Sequence, residues 1–318
     1  MAVLGKLARS AQGTDARPPA PFVVGAARSG TTMLRLMLDA HSELAIPPET
    51  QVVPELISAS KKPGAGAADV AELLVNHRRF PDFEIEAAAV RERFAAIEPF
   101  DVSEAIREFF RLYAEKEGKP RWGDKTPGYS AYMKKIHRHL PEVRFIHLIR
   151  DGRDVRLSQL GRGSDHPTPE RHGKRWRKRV LEAREQGAEV PHYTEIRYED
   201  LVLDTETSLR RLCEFCELEW DPAMLTFHER AQGRLSEIAR DLPEGEELAE
   251  GRRRASRTAE GRLHVHRLTA EPPRKDRVAR WRSEMSPEDR AGFESEAGEL
   301  LAELGYEVGN TEVVAPEG

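Results

Sequence analysis

The chain has 318 residues, with 50 Lys and Arg against 55 Asp and Glu and a formal net charge of −5. A polyanion-coating protein would carry a net basic excess, and a disordered acidic chain would lack apolar residues; with 39% hydrophobic residues this is neither. Length points to one large globular domain or two small ones. Two cysteines make no disulfide framework, so a cytoplasmic setting is expected. The leader Met1–Pro21 has no apolar core of secretory-peptide length, and no stretch near it is long enough to span a bilayer.

Residues 1–20 read as a flexible leader. Phe22-Val23-Val24, closed by Gly25, is an apolar run suited to a buried strand, and Thr32–Leu38 carries Leu34 and Leu38 at helical spacing. From Gln51 to Lys119 the pattern is mostly helical, with apolar residues three and four apart in Ala71–Val75, Ala87–Ile97 and Val102–Tyr113, and with a loop at Lys61–Gly66. Val143–Ile149 is the strongest second strand and runs into Arg150-Asp151-Gly152-Arg153 and another helical stretch. His192–Arg197 reads as a third strand leading into a helix over Asp204–Cys216. Glu244–Arg254 is a run of acid then base, an exposed loop or a solvated helix. Pro287–Gly305 is a final amphipathic helix, and residues 309–318 form a tail. Strands alternating with helices predict an α/β fold with a central parallel sheet flanked by helices. In such folds the active site lies at the carboxyl ends of the strands.

Gly25-Ala26-Ala27-Arg28-Ser29-Gly30-Thr31-Thr32 sits between a predicted strand and a predicted helix, with its glycines spaced as in the P-loop G-x-x-x-x-G-K-[ST]. Small residues let backbone N–H groups face an anion, and a helix N-terminus adds favourable partial charge. Thr31 stands where a P-loop NTPase has its lysine, and the cation has moved to Arg28. That argues against a γ-phosphate with its Mg²⁺ and for a terminal anionic group held without metal. A second anion site is expected after the second strand, where Arg150 and Ser158 converge, with Arg153 and Arg162 near by. An arginine fork meets phosphate oxygens bidentately. The alternative is a charged helix start in which Asp151 and Asp154 pair the arginines internally.

Together these segments resemble the PAPS-dependent sulfotransferases, most closely the tyrosylprotein branch and its bacterial relatives. Arg28-Ser29-Gly30-Thr31-Thr32 is similar to the family's 5′-phosphosulfate loop, and the run Phe145–Ser158 to its 3′-phosphate motif, with Arg150 and Ser158 as contacts. The similarity continues through Pro48-Glu49-Thr50, Asp124-Lys125-Thr126-Pro127, Tyr198-Glu199-Asp200-Leu201 and Gly305-Tyr306-Glu307. It implies a P-loop-like three-layer fold over residues 21–308, with a mostly helical insertion at about 51–119. It also implies PAPS as co-substrate and 3′,5′-ADP as product, with no metal. The acceptor would be a small molecule, carbohydrate, lipid or peptide, with no nucleic acid and no membrane span involved.

The resemblance further assigns Glu49 as catalytic base and Lys125 as a contact to the transferring group, although Lys125 has different neighbours from the family's lysine. Arg162 and Tyr198 match further nucleotide contacts, and Arg280 before Trp281 matches a basic residue near the C-terminus. The family serine before that segment has no counterpart here. Arg28 and Lys125 would neutralise charge gathering on the leaving oxygen, and Glu49 would take the acceptor proton. The plainer alternatives are a helix-flanking acid for Glu49 and a surface lysine paired with Asp124 for Lys125. Two rival functions are a non-catalytic nucleotide-binding or scaffolding protein of the same fold, and a nucleotide kinase or NTPase.

Three other features are read as structural. Cys213-x-x-Cys216 lies on an apolar helix face, so packed thiols are expected rather than zinc ligands. His264-x-His266 is expected in a plain loop or strand. Arg171–Arg179, around Trp176, is expected to be a solvated helix face.

Overall fold

The strand Ala20–Gly25 (β1) is buried along its whole length, because it has a parallel neighbour on each side and helices over both faces. The structure, a computed structural model, describes residues 17–160, 167–239, 258, 260, 263 and 267–309. Arg162, Glu244–Arg254, His264 and His266 lie outside these residues, as do most of the leader and tail.

One neighbour of β1 is Val143–Ile149 (β5), in register from Ala20 opposite Val143 to Gly25 opposite Leu148. On its other side lies Asp124–Lys125 (β4), with Phe22 opposite Asp124 and Val23 opposite Lys125. Tyr193–Arg197 (β6) completes the sheet beside β5. The order is β4-β1-β5-β6, all parallel. Leu44–Ala45 (β2) and Arg121–Trp122 (β3) pair in a separate two-stranded ribbon.

Successive side chains of a strand point to opposite faces, and β1 divides its residues accordingly. Phe22 and Val24 enter one core with Phe145 and the helices between residues 53 and 116. Those helices are Val53–Ala59, Ala67–Val75, Ala87–Ala95 and Val102–Lys116. The Phe22 ring lies 5.7 Å from Phe110 and 6.1 Å from Phe145, edge to face in both pairs, an arrangement favoured by the aromatic quadrupole. Val23 enters the other core with Ile146 and Leu148, against Thr31–Asp39 (α1) and the helix Thr205–Cys216. Cys213 and Cys216 are buried free thiols on that helix, and burial pushes them up to about 11 and about 12. They are packing groups, as their spacing predicts.

A third core joins the basic helix Pro169–Gly187 to the C-terminal helix Pro287–Glu303 through Trp176 and Phe293. Arg171, Lys174, Arg175, Lys178 and Arg179 of the basic helix are exposed, in keeping with a solvated face. No helix among the described residues is long and apolar enough to cross a membrane.

Candidate active site

The parallel order brings the carboxyl ends of β1, β4, β5 and β6 to one edge of the sheet, where a cleft of ≈ 960 Å³ opens. Sequence-distant candidates meet there: Arg28, Gly30, Thr31, Thr32, Glu49, Lys125, Arg150, Ser158, Tyr198 and Arg280 all line it. Ser29 lies buried beneath the loop.

The loop after β1 is sharply bent. Arg28 has φ 77° and Gly30 has φ 97°, left-handed values that are costly for a residue with a Cβ. At Gly30 the chain also passes close to a ring: an added Cβ would sit 2.5 Å from Tyr198. Helix α1 starts immediately afterwards at Thr31, so its unpaired N–H groups face the cleft end of the loop. The Arg28 guanidinium turns toward the helix Gly152–Leu160 that follows β5 and donates through Nε to Ser158 Oγ at 3.1 Å.

Arg150, buried at the end of β5, lies over the Tyr198 ring at 4.3 Å and donates to the carbonyl oxygens of Arg277 at 2.8 Å and Arg28 at 3.4 Å. The two expected anion sites are thus laced together through Arg28. Arg150 Nε and Ser29 Oγ are buried with no hydrogen-bond partner among the described residues. Unmet buried polar groups are rare, and an arginine fork beside a buried hydroxyl suits phosphate or sulfate oxygens.

Arg153 is a correction. It is fully buried and turned away from the cleft, bound to Asp151 at 2.7 Å and Glu294 at 2.6 Å and stacked on Trp281 at 3.5 Å. The internal pairing weighed for this segment therefore holds for Arg153, whereas Arg150 faces the cleft despite an Asp154 carboxylate at 3.7 Å. Arg280 lines the cleft with its guanidinium paired to Glu284 on the next turn.

Lys125 is buried and bonded not to Asp124 but to Glu49 Oε1, at 2.8 Å, with Thr32 Oγ1 at 3.3 Å. Burial pushes its ammonium below the usual lysine value, and the Glu49 charge opposes the shift. Gln51 Nε2 donates to the other Glu49 oxygen at 3.0 Å, and the Arg79 guanidinium lies 4.0 Å from it. Beneath this pair, burial pushes the Asp124 carboxyl up to about 7, against hydroxyl hydrogen bonds from Thr50 and Thr126.

Sequence reasoning missed Arg79, Arg274 and Arg277, which also line the cleft. Arg277 stands three residues before Arg280 in a basic run, a signal that was available. Arg79 has none, because only the tertiary fold brings residue 79 beside residue 49.

Comparison with known proteins bears on the same segments. The profile described as "Sulfotransferase family" matches residues 19–222, more than half of the chain. The protein-tyrosine sulfotransferase of Drosophila melanogaster is 26% identical over 220 residues, 66% of this chain and 40% of that protein. Protein-tyrosine sulfotransferase A of Caenorhabditis elegans is 26% identical over 238 residues, 71% of this chain and 57% of that protein. The matches thus span about half the length of these curated relatives. Among solved structures, the sulfotransferase domain from the curacin biosynthetic pathway superposes with a TM-score of 0.60 at 20% identity, covering 92% of this chain and 99% of that domain. That likeness shows the P-loop-like sulfotransferase fold, with its central parallel sheet. The profile match runs from β1 through the loops that follow β1 and β5 and on past β6; the chain belongs to the sulfotransferase family.

Proposed function

We propose that this protein is a PAPS-dependent sulfotransferase that transfers the sulfuryl group to a hydroxyl (or amine) of an acceptor and releases 3′,5′-ADP. The observation that carries the reading is the Lys125–Glu49 pair at 2.8 Å beside Thr32 of the anion loop. A protein that only bound the nucleotide would need neither group there.

In the reaction the S–O bond to the phosphate bridging oxygen breaks as the S–O bond to the acceptor forms. The acceptor proton passes to a Glu49 carboxylate oxygen. Arg28 and Lys125 are cations in a cleft of reduced dielectric, where neutralising the leaving phosphate is most effective. Arg150, Ser158 and Tyr198 would hold the 3′-phosphate side, with Arg277 and Arg280 on the wall behind and Arg162 by resemblance. No step requires a metal.

The same reading takes residues 21–308 as one domain in which the helical stretch 51–119 faces the acceptor, supported by Gln51, Pro54, Glu55 and Arg79 on the cleft wall. Two relatives are protein-tyrosine sulfotransferases by name, which makes a peptide hydroxyl one acceptor class to try beside small molecules, carbohydrates and lipids. The free buried thiols fit a reducing compartment such as the cytoplasm.

The test is calorimetry with 3′,5′-ADP against ATP plus Mg²⁺, followed by transfer of labelled sulfate from PAPS to acceptor pools. Metal-independent binding of 3′,5′-ADP, weakened roughly a hundredfold by Arg150→Ala through lost charge-assisted hydrogen bonds, is the expected result. ATP binding that needs Mg²⁺, with no response to 3′,5′-ADP, would refute the reading. Glu49→Gln should slow transfer to a hydroxyl by roughly 10²–10⁴-fold, the usual contribution of a general base. An unchanged rate would remove Glu49 from the mechanism.

A further inference from the structure

Two chain-adjacent pairs clasp each other at the reacting end of the cleft. Glu49 and Lys125 are joined side chain to side chain at 2.8 Å, and their immediate neighbours Thr50 and Asp124 are joined in the same way, also at 2.8 Å. The second clasp has a direction. Thr50 Oγ1 donates its proton to Asp124 Oδ1, so in the contact at 2.7 Å the Tyr129 hydroxyl is the donor to Thr50 Oγ1. The same phenol oxygen accepts from the Val53 N–H at 2.9 Å. The Thr50 N–H is held separately by Thr126 Oγ1 at 3.1 Å. Thr50, Asp124, Thr126 and Tyr129 are all buried, and neither Thr50 nor Asp124 is among the cleft-lining residues. Immediately after Thr50 the chain turns through a left-handed Gln51, φ 58°, a conformation that persists only when its surroundings over-determine it.

We propose that Asp124 is a positioning residue that acts through the Thr50 hydroxyl to hold Glu49 in register with Lys125. The inference rests on the reading of Glu49 and Lys125 as the reacting pair. Thr50 fixes the backbone that carries Glu49, Asp124 fixes the backbone that carries Lys125, and their hydrogen bond sets the separation of the two functional groups. A shift of about 1 Å in such a pair is enough to cost a large factor in rate.

The charge state of Lys125 reports whether the register is kept. The carboxylates of Glu49 and Asp124 favour the ammonium, while Arg35 of α1 and Arg79 of the segment before residues 80–83 oppose it, together with burial. Losing contact with Glu49 must therefore lower the Lys125 titration midpoint. Thr50→Val is the informative change, because it removes a hydroxyl and no charge.

The measurement is the ¹³Cε shift of Lys125 against pH in protein carrying ¹³C-lysine. The resonance is identified among the eleven lysines by its loss in Lys125→Met. Glu49→Gln should lower the midpoint, Thr50→Val should lower it by a pH unit or more, and Thr50→Ser should restore it. If Glu49→Gln moves the midpoint and a folded Thr50→Val does not, the positioning role is wrong while the reacting pair stands. If neither moves it, the pair itself is absent in solution and both fall. Should Thr50→Val not fold, Tyr129→Phe removes the donor to Thr50, and a smaller shift in the same direction supports the proposal, whereas an unmoved midpoint overturns it.

Discussion

At the scale of single residues, Gly30 shows how the loop after β1 depends on the helix Tyr198–Leu203 that follows β6. Its φ of 97° disfavours any Cβ, and the Tyr198 ring occupies the space that a Cβ would enter. Gly30→Ala should therefore lower the melting temperature and weaken 3′,5′-ADP binding at least tenfold, because Tyr198 is also the platform beneath Arg150. Gly64→Ala is the control, with φ 78° and nothing within 4 Å of the new Cβ. It should show only the backbone cost, about 1 kcal/mol, with binding unchanged, and calorimetry with thermal melts separates the two. The cleft was legible from chemistry and spacing at Arg28, Arg150 and Ser158, and through the family resemblance at Glu49 and Lys125. It was not legible at Thr50, Asp124 and Tyr129, whose importance lies in hydrogen bonds to residues some 75 positions away. Arg153 misled because charge in a sequence says nothing about which way a helix turns it.

Among secondary-structure elements, β1, β5 and the helices of the 51–119 stretch were readable because each is long enough to carry a run or a period. The strands β2, β3 and β4 are two residues each. A polar dipeptide such as Asp124-Lys125 has no periodicity to detect; its pairing with β1 is imposed by packing. That strand nevertheless delivers Lys125 to Glu49, so the weakest local signal belongs to an element that positions this buried pair. Arg153 serves another junction, tying the helix Gly152–Leu160 to the C-terminal helices through Asp151, Glu294 and the Trp281 ring. Arg153→Ala would leave the buried Asp151 carboxylate without its cation, which typically costs about 3–5 kcal/mol, while Glu294 keeps Arg290 at 2.8 Å. Denaturant unfolding should show a loss of that order; a change below about 1 kcal/mol would mean the junction is solvated.

Across the whole molecule, the sheet and its helical layers are also joined by charge. Arg184 on the basic helix binds Glu195 of β6 at 2.8 Å and Glu303 at the end of the C-terminal helix, while Tyr193 donates to Glu195 at 2.7 Å. Burial works against the charged form of Glu195, but hydrogen bonds from Arg184 and Tyr193, with the His147 ring 3.8 Å away, outweigh it and hold its carboxyl well below the ordinary 4.5. A depressed acid contributes stability that is complete above its unfolded value and fades as pH falls beneath it. Thermal melts between pH 7 and pH 3 should therefore find Glu195→Gln less stable than the wild type near neutrality, with the difference shrinking below about pH 4.5. A gap that is constant across this range would assign the loss to packing rather than to charge.

The left-handed Arg28 and Gly30 have a consequence for the thermodynamics of recognition. A loop that the folded sheet has already bent has little conformational freedom left to surrender when a nucleotide arrives. Affinity and fold stability then draw on one reservoir: a remote change that slackens the packing of β1 against β5 would loosen the grip on phosphate without touching a single binding residue.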